Sequence, residues 1–91
     1  MGANLHEVSL SEQEWSALIQ RLGLAPRQAE VVKHILHGKA DRQIALKMGI
    51  STATVRTHLG RLFRKYGVND RVELILYVAT ALRDADKRRT G

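Results

Sequence analysis

Apolar residues in this chain recur every three or four positions, and each run is bounded by glycine, proline or a capping residue. This spacing is typical of amphipathic helices. It predicts five helices, over residues 11–22, 26–37, 40–48, 51–66 and 71–83. The first has Ser11 and Glu14 at the spacing of a capping box and ends at Gly23. The fold class that follows is all-α.

A helix-turn-helix pattern lies at the centre of the chain. The third and fourth predicted helices are joined by the turn Met48-Gly49-Ile50-Ser51, and a tight glycine-containing turn between two helices is typical of this motif. We expect Ser51 to cap the longer helix, and Asp41, chemically better than Ala40, to cap the shorter one. The inward stripe of the longer helix is predicted to consist of Val55, Leu59, Leu62 and Tyr66.

The last predicted helix has two apolar faces, which are Val72, Ile75, Leu76, Ala79 and Leu82 on one side and Leu74, Tyr77, Val78 and Ala81 on the other. One face can pack on the domain core, whereas the second needs another partner, because large exposed apolar patches mark interfaces. The N-terminal helix could cover that face, and so could a second copy of the chain through a two-fold contact. We assign a homodimer contact to Leu74, Tyr77, Val78 and Ala81.

Charge is distributed unevenly along the chain, whose formal net charge is +6 and whose pI is about 10.3. No acidic residue lies between Asp41 and Asp70, where the basic residues are Arg42, Lys47, Arg56, Arg61, Arg64 and Lys65. A solvated helix face normally carries both signs, because opposite charges at i,i+4 stabilise it. An unneutralised basic face therefore indicates a polyanionic partner, and double-stranded DNA is the leading candidate.

The composition excludes several other classes of protein. The 91 residues suit one small domain without a deep cleft. The absence of cysteine excludes disulfides and thiolate metal sites and fits a reducing, cytoplasmic compartment. No apolar run approaches the roughly 18 residues of a membrane span, and no signal peptide begins the chain. Without a nucleophile–base pair or a glycine-rich phosphate loop, we expect no enzyme, no cofactor and no small-molecule ligand.

Three potential metal ligands share one face of the second predicted helix. Glu30, His34 and His37 follow each other at i, i+4 and i+7, a spacing that could hold a metal ion. No fourth ligand and no supporting carboxylate is evident, so we expect exposed surface histidines and no metal site.

Residues 24–82 resemble the LuxR-type helix-turn-helix domain of bacterial transcription regulators. The most specific stretch reads Ile-Ser-x-x-Thr-Val-Arg-x-His and is followed by Lys-x-Gly-Val. Further matching positions are Leu24, Pro26, Arg27, Glu30, Val31, Gly38, Ile44, Ala45, Arg71 and Leu74. The resemblance implies a tetrahelical helix-turn-helix bundle, unrelated to the winged-helix fold and here extended by an N-terminal helix. It also implies that the helix over 51–66 enters the major groove and that the last helix dimerises.

The resemblance implies roles at DNA for individual residues of the fourth helix. Base contacts are implied at Arg56, Thr57 and Gly60, with Arg61 compensating for the longer side chain that is frequent at position 60. Contacts to the DNA backbone are implied at Ser51, Thr52, Thr54, His58, Arg64 and Lys65. Arginine can pair with guanine through two hydrogen bonds, and a threonine methyl group can meet that of thymine.

We divide the chain into a flexible N-terminus (1–9), an extra helix (10–23), the DNA-binding domain (24–83) and a disordered charged tail (84–91). Residues 1–23 cannot hold a sensory domain, so the chain is either a stand-alone regulator or a domain of a longer one. The leading hypothesis is sequence-specific DNA binding by a dimeric transcription regulator, with RNA polymerase as a further candidate partner and no membrane partner. The alternative is a protein-interaction module that uses its N-terminal or last helix and binds no DNA.

Overall fold

The computed structural model describes residues 10–90, with side chains as far as Asp84. The described chain consists of five helices and contains no strand: α1 (Glu12–Leu22), α2 (Pro26–Leu36), α3 (Asp41–Met48), α4 (Thr52–Tyr66) and α5 (Arg71–Thr90). The predicted all-α class is therefore confirmed. The segment 1–9, expected to be flexible, lies outside the described residues.

Hydrogen bonds to the first turn fix where the helices begin. In α1 the predicted capping box is present, since Ser11 Oγ accepts from the Glu14 N–H at 3.1 Å and Glu14 Oε1 accepts from the Ser11 N–H at 2.9 Å. In α3 the cap is Ala40, whose N–H donates to Gln43 Oε1 at 2.9 Å. The expectation that Asp41 caps α3 is wrong, because Asp41 is already the first helical residue and its carboxylate is bound elsewhere.

The core is built around α4, which packs against α2, α3 and α5, while α1 packs against α5. Its largest fully buried side chains are Val31, Val32, Ile44, Val55, Leu62, Leu74 and Val78. No polar or charged residue is buried within the described part of the chain. None of the described helices is long and apolar enough to cross a membrane. The described interior therefore serves to pack the helices together, and polar groups that could contact a partner lie on the surface.

The turn between α3 and α4 depends on Gly49. Its backbone is left-handed, with φ 68° and ψ 35°, a conformation that glycine adopts without the clash other residues meet. The next N–H, that of Ile50, donates to the Ala45 carbonyl at 3.0 Å, and its half-buried side chain packs on the core. The angle at which α4 leaves α3 is thereby fixed.

The apolar faces of α5 are arranged opposite to expectation. Leu74 and Val78 are 1% exposed and Ala81 is 8% exposed, because α1 and α4 both pack against α5 and bring these residues into the core cluster. The fourth member of the predicted dimer face, Tyr77, stacks on Tyr66 within the same chain. The assignment to a homodimer contact is therefore wrong for Leu74, Val78 and Ala81, since they are buried inside the domain. Tyr77 is 40% exposed, and its place in such a contact stays a prediction.

The end of α5 also differs from the prediction. The helix continues to Thr90, beyond the end expected at Arg83, so the prediction of a disordered tail over 84–91 is wrong as far as Thr90. The segment from Asp84 contains alanine, lysine and arginine and reaches no glycine before Gly91. Residues of that kind favour helix, and nothing in this segment stops one.

Candidate nucleic-acid interface

The ten predicted DNA contacts lie on α4 and its cap, away from the core stripe. The core side of α4 consists of the buried Val55, Leu59 and Leu62. Seven of the predicted contacts are exposed, namely Ser51, Thr54, Arg56, Thr57, Arg61, Arg64 and Lys65. The other three, Thr52, His58 and Gly60, are half-buried at the edges of this surface. The helical geometry therefore brings the whole predicted set onto one accessible surface, which we call the α4 face.

The start of α4 is held by two hydroxyl groups. Ser51 Oγ accepts from the Thr54 N–H at 3.0 Å and lies 2.9 Å from Thr54 Oγ1. The predicted cap is thus confirmed. Because the positive end of a helix dipole attracts anions, the amino end of α4 suits a phosphate group.

The hydroxyl of Thr57 is occupied within α4. Thr57 Oγ1 donates to the carbonyl of Ala53 at 3.1 Å, so its one O–H is in use. Toward an outside partner the hydroxyl oxygen can still accept a hydrogen bond, and the γ-methyl group can make the expected apolar contact with a thymine methyl.

Packing within the domain does not require glycine at position 60. A Cβ added to Gly60 would have Arg64 Nη1 as its neighbour at 3.6 Å, an ordinary contact with the flexible end of a side chain. A glycine inside a helix is nevertheless less stable than alanine by about 1 kcal/mol. Since no described neighbour explains the glycine, its position on the α4 face leaves room for the close approach of another molecule.

Charge on the α4 face is only partly neutralised. Arg56 Nε lies 3.5 Å from Asp41 Oδ2, so the expectation that no basic residue here has an acidic partner is wrong for Arg56. Asp41 also accepts from Arg71 Nη2. Among the described residues, Arg61 and Arg64 form no ion pair. Sequence reasoning missed the role of Asp41 because its partners come from two other helices.

The carboxyl end of α4 is joined to the carboxyl end of α1. Tyr66 Oη donates to the Leu22 carbonyl at 2.6 Å, and Lys65 Nζ donates to the Gly23 carbonyl. Burial raises the pKa of Tyr66 above its ordinary value of 10.0, and the neighbouring Tyr77 adds to this shift. The ring of Tyr66 stacks on that of Tyr77 with a centroid distance of 4.6 Å. Lys65 thus has a partner inside the domain as well as its predicted partner on the DNA backbone.

Two histidines lie at the carboxyl end of α2, where His34 is in the last turn and His37 is the C-cap. His34 and His37 are half-buried, not exposed as expected. Burial lowers the pKa of His34 below 6.5, His37, Lys47 and Lys33 lower it further, and Glu30 opposes them. Within the described residues, no three groups of the His, Cys, Asp or Glu type are placed to hold a metal ion.

A short turn, a capped helix and an exposed basic surface on that helix define a helix-turn-helix module that binds DNA. The sequence profile of the family described as "Bacterial regulatory proteins, luxR family" matches residues 22–78. The chain therefore belongs to the luxR family of bacterial regulatory proteins and is the DNA-binding domain of a transcription regulator, not an enzyme. The resemblance found in the sequence is confirmed.

Relatives with curated descriptions agree with this assignment. The chain is 37% identical over 54 residues to the uncharacterized transcriptional regulatory protein YhcZ of Bacillus subtilis, covering 59% of this chain and 25% of YhcZ. It is 38% identical over 52 residues to the probable transcriptional regulatory protein NarL of Mycobacterium tuberculosis, covering 57% of this chain and 24% of NarL. It is 29% identical over 75 residues to the transcriptional activator protein PhzR of Pseudomonas fluorescens, covering 82% of this chain and 31% of PhzR.

The chain thus spans about a quarter to a third of the length of these relatives. No solved structure matches it.

Proposed function

We propose that this domain reads a specific sequence of double-stranded DNA by placing α4 in the major groove, and that it does so as a homodimer. The observation that carries the proposal is the α4 face, where Arg61 and Arg64 form no ion pair among the described residues. Such like charges repel each other, and a bound polyanion offsets this repulsion. The phosphates of DNA supply that polyanion, and release of their counterions supplies much of the affinity.

The side chains of the α4 face divide by chemistry into two groups. Arg56 keeps its terminal nitrogens for O6 and N7 of a guanine, and Thr57 presents its methyl group to a thymine. Gly60 allows the helix backbone to come close to the base edges between them. The hydroxyl and cationic groups around this centre bind phosphates, which set the register of the helix without reading sequence. These residues are Ser51, Thr52, Thr54, His58, Arg64 and Lys65, whereas Arg61 is proposed to contact a base beside Gly60.

The homodimer contact that we propose is on the outer side of α5. Val72 is 63% exposed and Leu76 is 60% exposed. They lie one helical turn apart, and Ala79 continues the same stripe. Exposed apolar side chains in a row indicate an interface. A two-fold contact here would present two copies of α4 to successive major grooves, about 34 Å apart.

Selection of bound duplexes from a random pool tests the proposal, because it yields both the site and its symmetry. We expect two inverted half-sites whose centres are about 10 base pairs apart. Arg56→Ala should weaken binding to the selected site by about 1–3 kcal/mol and relax the preference at one base pair. Binding that Arg56→Ala leaves unchanged would refute the role of Arg56 in base readout. Absence of salt-sensitive binding to any duplex at low ionic strength would favour the protein-interaction module instead.

A further inference from the structure

The carboxylate of Asp41 joins three helices at the edge of the α4 face. Its Oδ1 accepts from Arg71 Nη2 at the start of α5, and its Oδ2 lies 3.5 Å from Arg56 Nε on α4. Arg71 also donates from Nη1 to the Lys39 carbonyl at 2.9 Å. The first residue of α3 is therefore fixed to α5 through one oxygen and faces the α4 face with the other.

The two arginines that Asp41 contacts have different surroundings. The side chain of Arg71 is 32% exposed, and that of Asp41 is 25% exposed. Arg71 therefore joins the start of α5 to the start of α3. Arg56 is 70% exposed, so the fold does not need its ion pair in the same way, because exposed pairs contribute little to stability. A carboxylate at this place also repels the phosphates that the α4 face is proposed to bind. The contact between Asp41 and Arg56 is therefore explained neither by the stability of the fold nor by affinity for DNA in general.

The atom through which Arg56 is held offers an explanation. Asp41 contacts Nε, at the inner side of the guanidinium group, and leaves Nη1 and Nη2 for another partner. A guanine offers two acceptors, O6 and N7, and recognition requires both donors in a fixed orientation. A free arginine side chain loses roughly 2 kcal/mol of rotamer entropy when it is ordered. A side chain that is already oriented loses less of it on binding.

We propose that Asp41 is a positioning residue for base readout. It holds Arg56 by Nε so that the terminal nitrogens of Arg56 face a guanine, and it lowers affinity for DNA of any sequence while raising discrimination at that base pair. The inference rests on the proposed function, because it needs Arg56 to read a base.

Asp41→Asn tests this inference, since it preserves the shape of the side chain and removes its charge. The full chain is titrated with the selected duplex, with the same duplex carrying a substitution at the guanine, and with random duplex. We expect discrimination between the first two duplexes to fall by about 5-fold or more, within the range of one arginine–guanine pair. Binding to random duplex should be unchanged or tighter. In an Arg56→Ala background, the same substitution should leave discrimination unchanged.

Asp70→Asn is the matched control, because it removes an equal charge beside the same groove, which Arg56, Asp70 and Arg71 all line. Asp70 Oδ1 accepts from the Glu73 N–H at 2.9 Å at the start of α5, and asparagine caps helices as well as aspartate does. Discrimination should therefore remain at the wild-type value. An equal loss of discrimination in both variants would overturn the proposal, since a general charge effect would then explain it.

A second measurement needs no substitution and so does not depend on the folding of a variant. In an NMR spectrum of the wild-type chain, the Nε–H of Arg56 should exchange with water more slowly than that of Arg61, which forms no ion pair among the described residues. Equal exchange rates would overturn the proposal. If the wild type binds a specific site and Asp41→Asn keeps the same discrimination, only the role proposed for Asp41 is overturned. If the wild type binds no duplex, the proposed function is overturned as well.

Discussion

The phenolic hydroxyl of Tyr66 donates a hydrogen bond of 2.6 Å to the backbone carbonyl of Leu22. This contact joins the last residue of α4 to the last residue of α1. A carbonyl at a helix end has no partner within its own helix, so Tyr66 satisfies a group that α1 leaves open. The extra N-terminal helix is therefore a structural part of the domain that presents the α4 face.

Removal of that hydroxyl should destabilise the domain. We expect Tyr66→Phe to lower the free energy of unfolding by about 0.5–1.5 kcal/mol, because one partly buried hydrogen bond is lost while the stacked ring remains. Urea unfolding followed by circular dichroism gives this value. Tyr77→Phe is the control, because it also keeps its ring stacked on Tyr66 but donates no hydrogen bond within the described residues. Equal effects of the two substitutions would show that the bond to Leu22 carries no stability.

Local signals in the sequence were sufficient to predict where most helices begin and end. Ser11, Ser51 and Gly49 act through atoms of their own turn, so their roles follow from a few neighbouring residues. The inward stripe of α4 could be predicted for the same reason, because it depends only on helical periodicity. The placement of the α4 face opposite that stripe required no knowledge of the other helices.

Features that depend on distant parts of the chain could not be predicted in this way. Both faces of α5 are apolar, and periodicity does not tell which of them α1 and α4 cover, so Leu74 and Val78 were assigned to the wrong partner. Asp41 was expected to act as a cap because capping is the local use of aspartate. Its contact with Arg71 joins residues 30 positions apart, and only the fold brings them together.

The half-buried His34 predicts a pH dependence of stability. Burial lowers the pKa of His34 below 6.5 in the folded domain. As the pH falls, His34 is therefore protonated in the unfolded chain before it is protonated in the folded domain. Stability is therefore full above about pH 6.5 and decreases as the pH falls through the lowered pKa. His34→Gln should make the free energy of unfolding less dependent on pH between about pH 7 and pH 5. Parallel pH profiles of variant and wild type would contradict this.

Arg64 should contribute to DNA binding without contributing to sequence preference. If it binds one phosphate, Arg64→Gln should reduce the slope of log K against log salt by about 0.9 and leave the order of preferred duplexes unchanged. Fluorescence anisotropy over a series of salt concentrations measures both. Lys33→Gln is the control for net charge, because Lys33 lies in a groove lined by the start of α1 and the end of α2 with their flanking residues, and by no residue of α4. A changed base preference in Arg64→Gln would place Arg64 at a base instead.

Gly60 should affect folding and DNA binding in opposite directions. Gly60→Ala is expected to stabilise the free domain by up to about 1 kcal/mol, because alanine favours helix and the added methyl group meets only Arg64 Nη1 at 3.6 Å. Binding to the selected duplex should become weaker by roughly tenfold, or about 1.4 kcal/mol, if α4 approaches DNA closely here.

Ser16→Ala serves as the control for stability alone, since it adds helix propensity in the exposed part of α1. It should leave DNA affinity unchanged. If Gly60→Ala raised stability and kept full affinity, close approach of the backbone at this position would be ruled out.

The exposed stripe on α5 gives the clearest test of the dimer, because the chain supplies a matched pair of leucines. Leu76 on α5 is 60% exposed and Leu46 on α3 is 76% exposed. We expect Leu76→Glu to raise the dimer dissociation constant by at least about 30-fold, since a side chain in the middle of a two-fold interface occurs twice and central residues can each carry about 2 kcal/mol.

Leu46→Glu introduces the same charge at a still more exposed site and should leave the dimer intact. Sedimentation equilibrium of the full chain measures both variants. Leu76→Glu should also bind a duplex with two half-sites no more tightly than a duplex with one, while it keeps the preference for individual bases. This separation is expected because α5 sets the spacing of the two α4 helices, whereas each α4 face reads its own half-site. A Leu76→Glu chain that stayed as dimeric as wild type would place the interface elsewhere.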